Sequence, residues 1–360
     1  MERETLFMYF EKRYSSKREM LSRIPLGIQP DSLWQELLSR RRAKSEVLPL
    51  CGPKGTPYWF VTTEKMILAS EKIVEALFEH EAEFDPYDGP STVSGLEEVF
   101  YTSFVEGAQI TMQEAMSFLS EGLQPKDIEE QLIANNRAAG GFAATHLARR
   151  IDEAFLRELN AILTDGMDGG GGEYRNSEDT DYISVSGEGC IFPKPDTIPE
   201  RVRNLCGFLA MPKIHPLIKA AVAQGYILAL RPFAEGNDRL GRILSSMLLH
   251  RCGYGFFGEV SLSALIARKS YAYYEAVENI LREENGGDFT YFIEYFLELL
   301  SRAIDERRYR LGQQNENQLR REAELARQPL TESNNRGQPP DDPHILDASQ
   351  KSSPDKSAVT

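Results

Sequence analysis

The chain of 360 residues has 41% hydrophobic and 27% charged residues, which is typical of a globular protein with room for two domains. Its net charge of −14, without a basic stripe, argues against nucleic acid or an anionic membrane as a partner. No stretch approaches the roughly 18 apolar residues of a spanning helix, and the charged N-terminus lacks the apolar region of a signal peptide. The four cysteines have no C-x-x-C spacing, which indicates free thiols in a reducing compartment. We therefore expect a cytoplasmic protein.

Residues 1–61 predict an accessory segment that precedes the main helical region. The stretch DSLWQELLSRRRAKSE shows helical periodicity after Asp31, which suits a helix cap. The stretch LCGPKGTPYWF is rich in Gly and Pro and predicts a loop or a hairpin. The aromatic residues Trp34, Tyr58 and Trp59 are compatible with a folded subdomain or with a homodimer contact, and the sequence leaves both open.

Helical periodicity dominates from Thr62 onward. Residues 62–125 predict a helix that begins with a Thr cap, followed by one or two more helices. Residues 126–308 predict further helices separated by Gly, Pro or Asp. One of them is HPLIKAAVAQGYILAL, with His215 as its cap and Pro216 at its first position. The sequence thus predicts an all-α, mainly helical fold.

Two regions depart from this helical pattern. In EYRNSEDTDYISVSGEGCIFPKP, the β-prone pieces Tyr182–Val185 and Cys190–Phe192 flank a Ser-Gly-Glu-Gly turn, which predicts a small hairpin and the only β structure of the chain. Residues 309–360 become polar and rich in Pro, Ser and Asn after about Gln313. They predict a fraying helix and a disordered tail, because too little apolar surface is available for burial.

The segment RPFAEGNDRLGR, which begins at residue 231, places charges between two apolar helices. Pro232 ends the first helix, and the next is expected to begin near Asp238 or Arg239. The turn between them presents unpaired backbone N–H groups at a helix N-terminus, where the helix dipole favours an anion. Arg239 and Arg242 can face the same anion, and Glu235 is a carboxylate suited to Mg²⁺ between phosphates. The alternative is a helix corner whose charges are only solvated or salt-bridged.

The same segment resembles the motif H-x-F-x-D/E-G-N-G-R-x-x-R of the Fic family, most members of which transfer AMP from ATP to a hydroxyl of a target protein. It matches at every defining position except Arg231 and Asp238. Upstream, TSFVEG resembles the inhibitory-helix motif S/T-x-x-x-E-G/N of the class with an N-terminal inhibitor. GEYRNSEDTDYI and FPKPDTIPERV resemble the flap that holds the target segment, and KSYAYYEAVENILREENGGDFTYFIEYFLELL resembles the C-terminal core helices. The resemblance covers roughly residues 62–308.

The resemblance implies a Fic-type helical core over residues 126–308 with a β-hairpin flap, ATP and Mg²⁺ as cofactors, and a target protein docked at the flap. In the family, the acidic motif residue binds the metal, the Gly-Asn turn holds the α-phosphate, and the two arginines contact the β- and γ-phosphates. The inhibitory glutamate of the family corresponds to Glu106, which by this resemblance would pair with Arg242 and block placement of the γ-phosphate. The resemblance assigns nucleotide binding to Phe233, Glu235, Gly236, Asn237, Asp238, Arg239, Gly241 and Arg242, metal binding to Glu235, inhibition to Thr102, Glu106 and Gly107, and the flap to Tyr174, Arg175, Tyr182 and Ile183.

Two residues depart from the motif. Arg231 stands where the family has the histidine that acts as general base. A guanidinium has a pKa above about 12 and no acceptor atom, so it cannot take the proton, and general-base help is typically worth about 10²–10⁴ in rate. Asp238 replaces a glycine, and its carboxylate would repel a triphosphate unless it binds the metal or pairs with Arg231. His215 and His250 are predicted as caps or core residues, which leaves no replacement base.

Three hypotheses follow. The first is a nucleotide-binding Fic protein that transfers AMP slowly or not at all. The second is an active transferase in which Arg231 stabilises negative charge on the transferred group. The third is a non-catalytic scaffold whose flap binds a partner strand by β-augmentation. The retained phosphate-binding residues favour the first two, and the replaced histidine favours the first and third. We therefore favour the first.

Overall fold

The computed structural model describes residues 3–80, 93–168, 171–176 and 190–327. These residues form fourteen α-helices and one two-stranded antiparallel sheet, which confirms the all-α prediction. Residues up to Leu311 form one compact unit. The elements are α1 (Arg3–Arg13), α2 (Lys17–Leu21), α3 (Pro30–Arg42), β1 (Glu46–Cys51), β2 (Pro57–Phe60), α4 (Glu64–His80), α5 (Val93–Val105), α6 (Met112–Glu121), α7 (Ile128–Thr145), α8 (Glu153–Leu163), α9 (Ile198–Leu209), α10 (Pro216–Leu230), α11 (Asn237–Arg251), α12 (Leu262–Ala267), α13 (Ser270–Leu281) and α14 (Thr290–Arg327).

Helix α10 lies at the centre of the core. Twelve of its fifteen residues are buried, and it packs against α9, α11 and α13. Its small residues also allow the aromatic side chains at the start of α14 to approach closely. At Gly225, an added Cβ would lie 2.7 Å from Phe292 Cδ1 and 2.8 Å from Phe289 Cε1. The core therefore fixes the end of α10, from which the charged segment continues.

The helix starts agree with the capping signals in two of three cases. The Thr63 hydroxyl accepts a bond from the backbone of Met66 at 3.3 Å and caps α4. The His215 ring accepts a bond from the backbone N–H of Leu217 and caps α10, as predicted. The cap predicted at Asp31 is wrong. Because Pro30 occupies the first position of α3, this helix begins earlier and Asp31 lies inside its first turn.

The two strands among the described residues lie in the N-terminal part of the chain. Strands β1 and β2 pair antiparallel, and Arg201 of α9 donates to the carbonyl of Cys51 at 2.7 Å. The sequence allowed a loop or a hairpin here, and the structure contains the hairpin. The prediction that the flap is the only β region was therefore wrong. Of the predicted flap hairpin, Tyr182–Val185 and the turn lie outside the described residues. In the second piece, Cys190–Phe192, Cys190 forms an isolated bridge with Arg282, and Ile191 and Phe192 belong to no strand.

The N-terminal helices α1, α2 and α3 pack on the core. They enclose an apolar cluster that contains Trp34, and the Tyr14 hydroxyl donates to the buried carboxylate of Asp288 at 2.8 Å. The side chains of Trp34, Tyr58 and Trp59 are at most 2% exposed. These aromatic residues therefore hold the segment to the rest of the chain, which leaves them no surface for the dimer contact that the sequence had left open.

Helix α5 is fixed to the core along its length. It packs against α7 and α12. The Glu98 carboxylate accepts bonds from the Ser261 hydroxyl at 2.7 Å and from the backbone of Ser263 at 2.9 Å, at the start of α12. Near its end, the carbonyl of Val105 accepts a bond from the Tyr274 hydroxyl at 3.0 Å. These contacts place the last turn of α5 beside the corner between α10 and α11.

The last helix is longer than the sequence predicted. α14 continues to Arg327, past the change to polar composition at Gln313. Gln, Glu, Arg and Leu in this stretch are good helix formers, so polar composition alone does not end the helix. The predicted disordered tail beyond residue 327 lies outside the described residues. Within the part that is described, no helix combines the length and the apolar character needed to span a membrane.

We expect Gly225→Ala to destabilise the fold by about 1–3 kcal/mol, because the new methyl group would overpack the contact with Phe289 and Phe292. Gly207→Ala in α9 is the matched control. An added Cβ there meets nothing within 4 Å, so helix propensity should stabilise that variant by about 0.5–1 kcal/mol. Chemical denaturation of both variants measures the difference, and equal effects would contradict the close packing of α10.

Candidate functional site

The charged segment forms a tight loop between α10 and α11. After α10, Arg231 adopts a left-handed conformation with φ 44° and turns the chain. Gly236 precedes α11 with φ 77°, which glycine adopts without strain. The side chain of Asn237 closes the loop from inside, because it accepts a bond from the Phe233 N–H at 3.1 Å and donates to the Phe233 carbonyl at 2.9 Å. Helix α11 thus begins one residue before the predicted start.

Two side chains from other parts of the chain hold the loop backbone. The Asn160 amide of α8 donates to the carbonyl of Glu235 at 2.9 Å, and an added Cβ on Gly236 would lie 3.1 Å from the same amide nitrogen. Arg175 donates through its side-chain Nε to the carbonyl of Arg231 at 2.7 Å. No motif in the sequence marked Asn160, since its role depends on the packing of α8 against α11.

The segment before the predicted flap runs along the loop. Tyr174 forms an isolated antiparallel bridge with Phe233, and their rings lie 5.5 Å apart. Phe233 is 2% exposed and anchors the loop in the core, and Arg175 is also buried. Arg175 therefore supports the motif backbone, although the sequence grouped it with the flap residues. Tyr182 and Ile183 lie outside the described residues.

The two C-terminal arginines of the motif are buried and face one carboxylate. Glu106, just after α5, lies 2.9 Å from Arg239 Nε through Oε2 and 2.8 Å from Arg242 Nη2 through Oε1. Both arginines are at most 5% exposed. The sequence predicted the partner Arg242, and the structure adds Arg239. Gly107 follows with φ 94°, a conformation that favours glycine and ends α5 at this point.

Each of these arginines is also held by neutral oxygen atoms. Arg239 donates from Nη1 to the carbonyl of Leu163 at the end of α8 at 2.8 Å. Arg242 donates from Nε to the Thr102 hydroxyl at 2.8 Å and from Nη2 to the Thr102 carbonyl at 3.0 Å. Thr102 of α5 and Glu106, just after this helix, thus bind the same guanidinium. Gly241, predicted with the nucleotide-binding residues, instead faces α10, where an added Cβ would lie 3.4 Å from the carbonyl of Gln224.

The two residues that depart from the motif pair with each other. Arg231 Nη1 donates to Asp238 Oδ2 at 2.9 Å, and the two residues are 5% and 8% exposed. Asp238 is the second residue of α11, so its carboxylate lies in the first turn of the helix, where negative charge is favourable. Of the two roles proposed for Asp238 from the sequence, the geometry supports pairing with Arg231.

Neither remaining histidine candidate lies beside Arg231. His215 caps the opposite end of α10. His250 lies near the end of α11, with its Nδ1 2.9 Å from the carbonyl of Ser246. Burial lowers the pKa of both imidazoles, which is the behaviour of a cap and of a packed side chain. Glu235 is half-buried at the edge of the loop, and the described residues contain no cluster of three or more His, Cys, Asp or Glu side chains suited to a metal.

Comparison with known proteins gives a consistent result for this part of the chain. Residues 150–249 match the model of the Fic/DOC family, and this range contains α8, the charged loop and most of α11. Relatives named protein adenylyltransferase Fic from Culex quinquefasciatus and Aedes aegypti are 25% and 24% identical over 222 residues. Those residues represent 58% of this chain and 41% of each relative, so the chain matches less than half the length of these proteins.

Solved structures share the fold. A fragment of Fic-1 from C. elegans aligns with a TM-score of 0.59 and 17% identity over 87% of both chains. A Fic family protein from Desulfovibrio desulfuricans aligns with a TM-score of 0.54 and 17% identity over 68% of this chain and 74% of that one. Residues 150–249 are therefore similar to the Fic/DOC family, and the chain shares its helical fold with solved Fic structures.

Proposed function

We propose that this protein is a nucleotide-binding relative of the protein adenylyltransferases in which AMP transfer to a protein hydroxyl is lost or greatly slowed. One observation carries the proposal. Two arginines lie at the start of α11, where a helix N-terminus favours an anion. A buried Arg231–Asp238 pair occupies the position at which the family motif has its proton-accepting histidine. The names of the curated relatives support the reaction class.

Nucleotide binding rests on the donors at the start of α11. The loop of Gly236 and Asn237 presents backbone N–H groups, and Arg239 and Arg242 contribute two guanidinium groups within one turn of the helix. Glu235 at the edge of the loop would hold Mg²⁺. One carboxylate fits that ion, because Mg²⁺ is often bound by one or two carboxylates together with substrate phosphates. Bound there, the ion would neutralise phosphate charge.

Loss of transfer rests on Arg231. The target hydroxyl must give up a proton as it attacks the α-phosphate, and a guanidinium has no lone pair to accept it. Its ion pair with Asp238 fixes the guanidinium at the start of α11. In the second hypothesis, Arg231 stabilises charge on the transferred group instead, and the labelling experiment below distinguishes the two. A target protein at the flap belongs to this proposal as well.

Glu106 restrains the site in this proposal. Its carboxylate occupies both arginines that would otherwise contact phosphates, so a nucleotide must displace it or bind without them. The contacts of α5 with α12 and with Tyr274 hold the carboxylate in place. Movement of α5 away from α11 would therefore free two guanidinium groups at once.

Labelling with radioactive ATP and Mg²⁺ tests the catalytic part. We expect no self-labelling by the native protein or by Glu106→Gly, a signal in Arg231→His, and a larger signal in the double variant. The histidine restores a base, which is typically worth about 10²–10⁴ in rate. Glu235→Gln added to the double variant is the control and should remove the signal. Labelling by the native protein or by Glu106→Gly would instead support a transferase that uses Arg231.

Calorimetry tests the restraint. We expect Glu106→Gln to strengthen binding of Mg²⁺-ATP by about tenfold or more, because it releases Arg239 and Arg242 from a buried ion pair. Glu97→Gln is the matched control, since Glu97 lies on the same helix but pairs with Arg310 at 3.0 Å. Equal effects of the two variants would contradict restraint by Glu106. Absence of nucleotide binding in both would favour the scaffold hypothesis.

A further inference from the structure

Asp238 places a negative charge inside the site that phosphates would use. Its carboxylate lies in the first turn of α11 and bonds to Arg231 at 2.9 Å. A helix N-terminus stabilises an anion, whether that anion belongs to a ligand or to a side chain. With only 8% of the residue exposed, its charge is weakly screened by solvent. The position therefore already holds one anion.

The positive charges of the three buried arginines are largely neutralised by two carboxylates of the protein itself. Asp238 pairs with Arg231, and Glu106 pairs with Arg239 and Arg242. Three arginines and two carboxylates leave one net positive charge among these five side chains. If Glu106 is released, Asp238 still remains, because it belongs to α11 itself and not to the segment that follows α5. Release of α5 thus frees two arginines without removing the internal anion.

The charge of the ligand decides how strongly Asp238 acts. A phosphate monoester carries about −1.5 to −2 at neutral pH, and a triphosphate carries about two charges more. Repulsion by a fixed carboxylate grows with the charge of the ligand and is strong where solvent is excluded. A triphosphate therefore loses more binding free energy to Asp238 than a monophosphate does.

We propose that Asp238 is a specificity-determining residue that selects against nucleoside triphosphates in favour of less charged nucleotides such as nucleoside monophosphates. The inference rests on the proposed nucleotide site. The ion pair itself accounts for the two departures from the motif occurring together, because removing either member would leave the charge of the other buried without this contact.

Calorimetry with ATP and with AMP, both without Mg²⁺ so that the two ligands keep their difference in charge, separates this proposal from the proposed function. All variants carry Glu106→Gln, so that the Glu106 carboxylate does not compete with the nucleotide for Arg239 and Arg242. We expect adding Asp238→Asn to strengthen ATP binding at least about tenfold and AMP binding less than about threefold. The pair Arg231→His with Asp238→Gly should shift the ratio in the same direction, without leaving Arg231 unpaired. Glu200→Gln, an exposed carboxylate in the first turn of α9, is the control and should leave both affinities unchanged.

The outcomes are distinguishable. An ATP to AMP ratio that stays the same in both Asp238 variants would overturn the specificity role, even if both nucleotides bind. Binding of neither nucleotide by any version, including the one that carries Arg231→His and Asp238→Gly, would overturn the nucleotide site itself. Circular dichroism checks the fold of each variant. If Asp238→Asn unfolds because Arg231 loses its partner, the paired variant gives the result.

Discussion

The burial of three guanidinium groups within twelve residues is the constraint on which the site depends. Arg231, Arg239 and Arg242 are each at most 5% exposed, and a buried cation without partners would cost far more than a folded protein can spare. Three helices around the corner supply the oxygen atoms that pair with these arginines. Asp238 comes from α11, Glu106 from the end of α5, and carbonyl oxygens from α5 and α8. The packing of α5, α8 and α11 around the loop therefore also places the oxygen atoms that accept hydrogen bonds from the three arginines.

Much of this site could be predicted from the sequence, because its main determinants are local. Pro232, the Gly-Asn turn and the spacing of the arginines fix a helix corner with donors at one end. The pairing of Arg231 with Asp238 follows from opposite charges seven residues apart across that corner. The second partner of Glu106 did not follow from the sequence, because it depends on how closely α5 approaches α11.

The sequence was less informative about features that are determined by tertiary packing. Asn160 resembles any polar residue of an amphipathic helix, yet it holds the loop backbone from α8. The β1–β2 hairpin was ambiguous because Gly and Pro mark loops and hairpins alike. It is held by contacts with α9 that lie far away in the sequence. At the polar end of α14, local propensity explains the result instead. The good helix formers there continue the helix although few apolar residues are present.

The bridge between Tyr174 and Phe233 ties the 174–176 segment, which precedes the predicted flap, to the loop. Arg175 strengthens the link, because its backbone N–H and its side chain bond to the carbonyls of Pro232 and Arg231. A displacement of the 174–176 segment therefore acts directly on the left-handed residue that turns the chain into the motif. The position of this short segment thus influences the orientation of Arg231 through its contacts with the loop backbone.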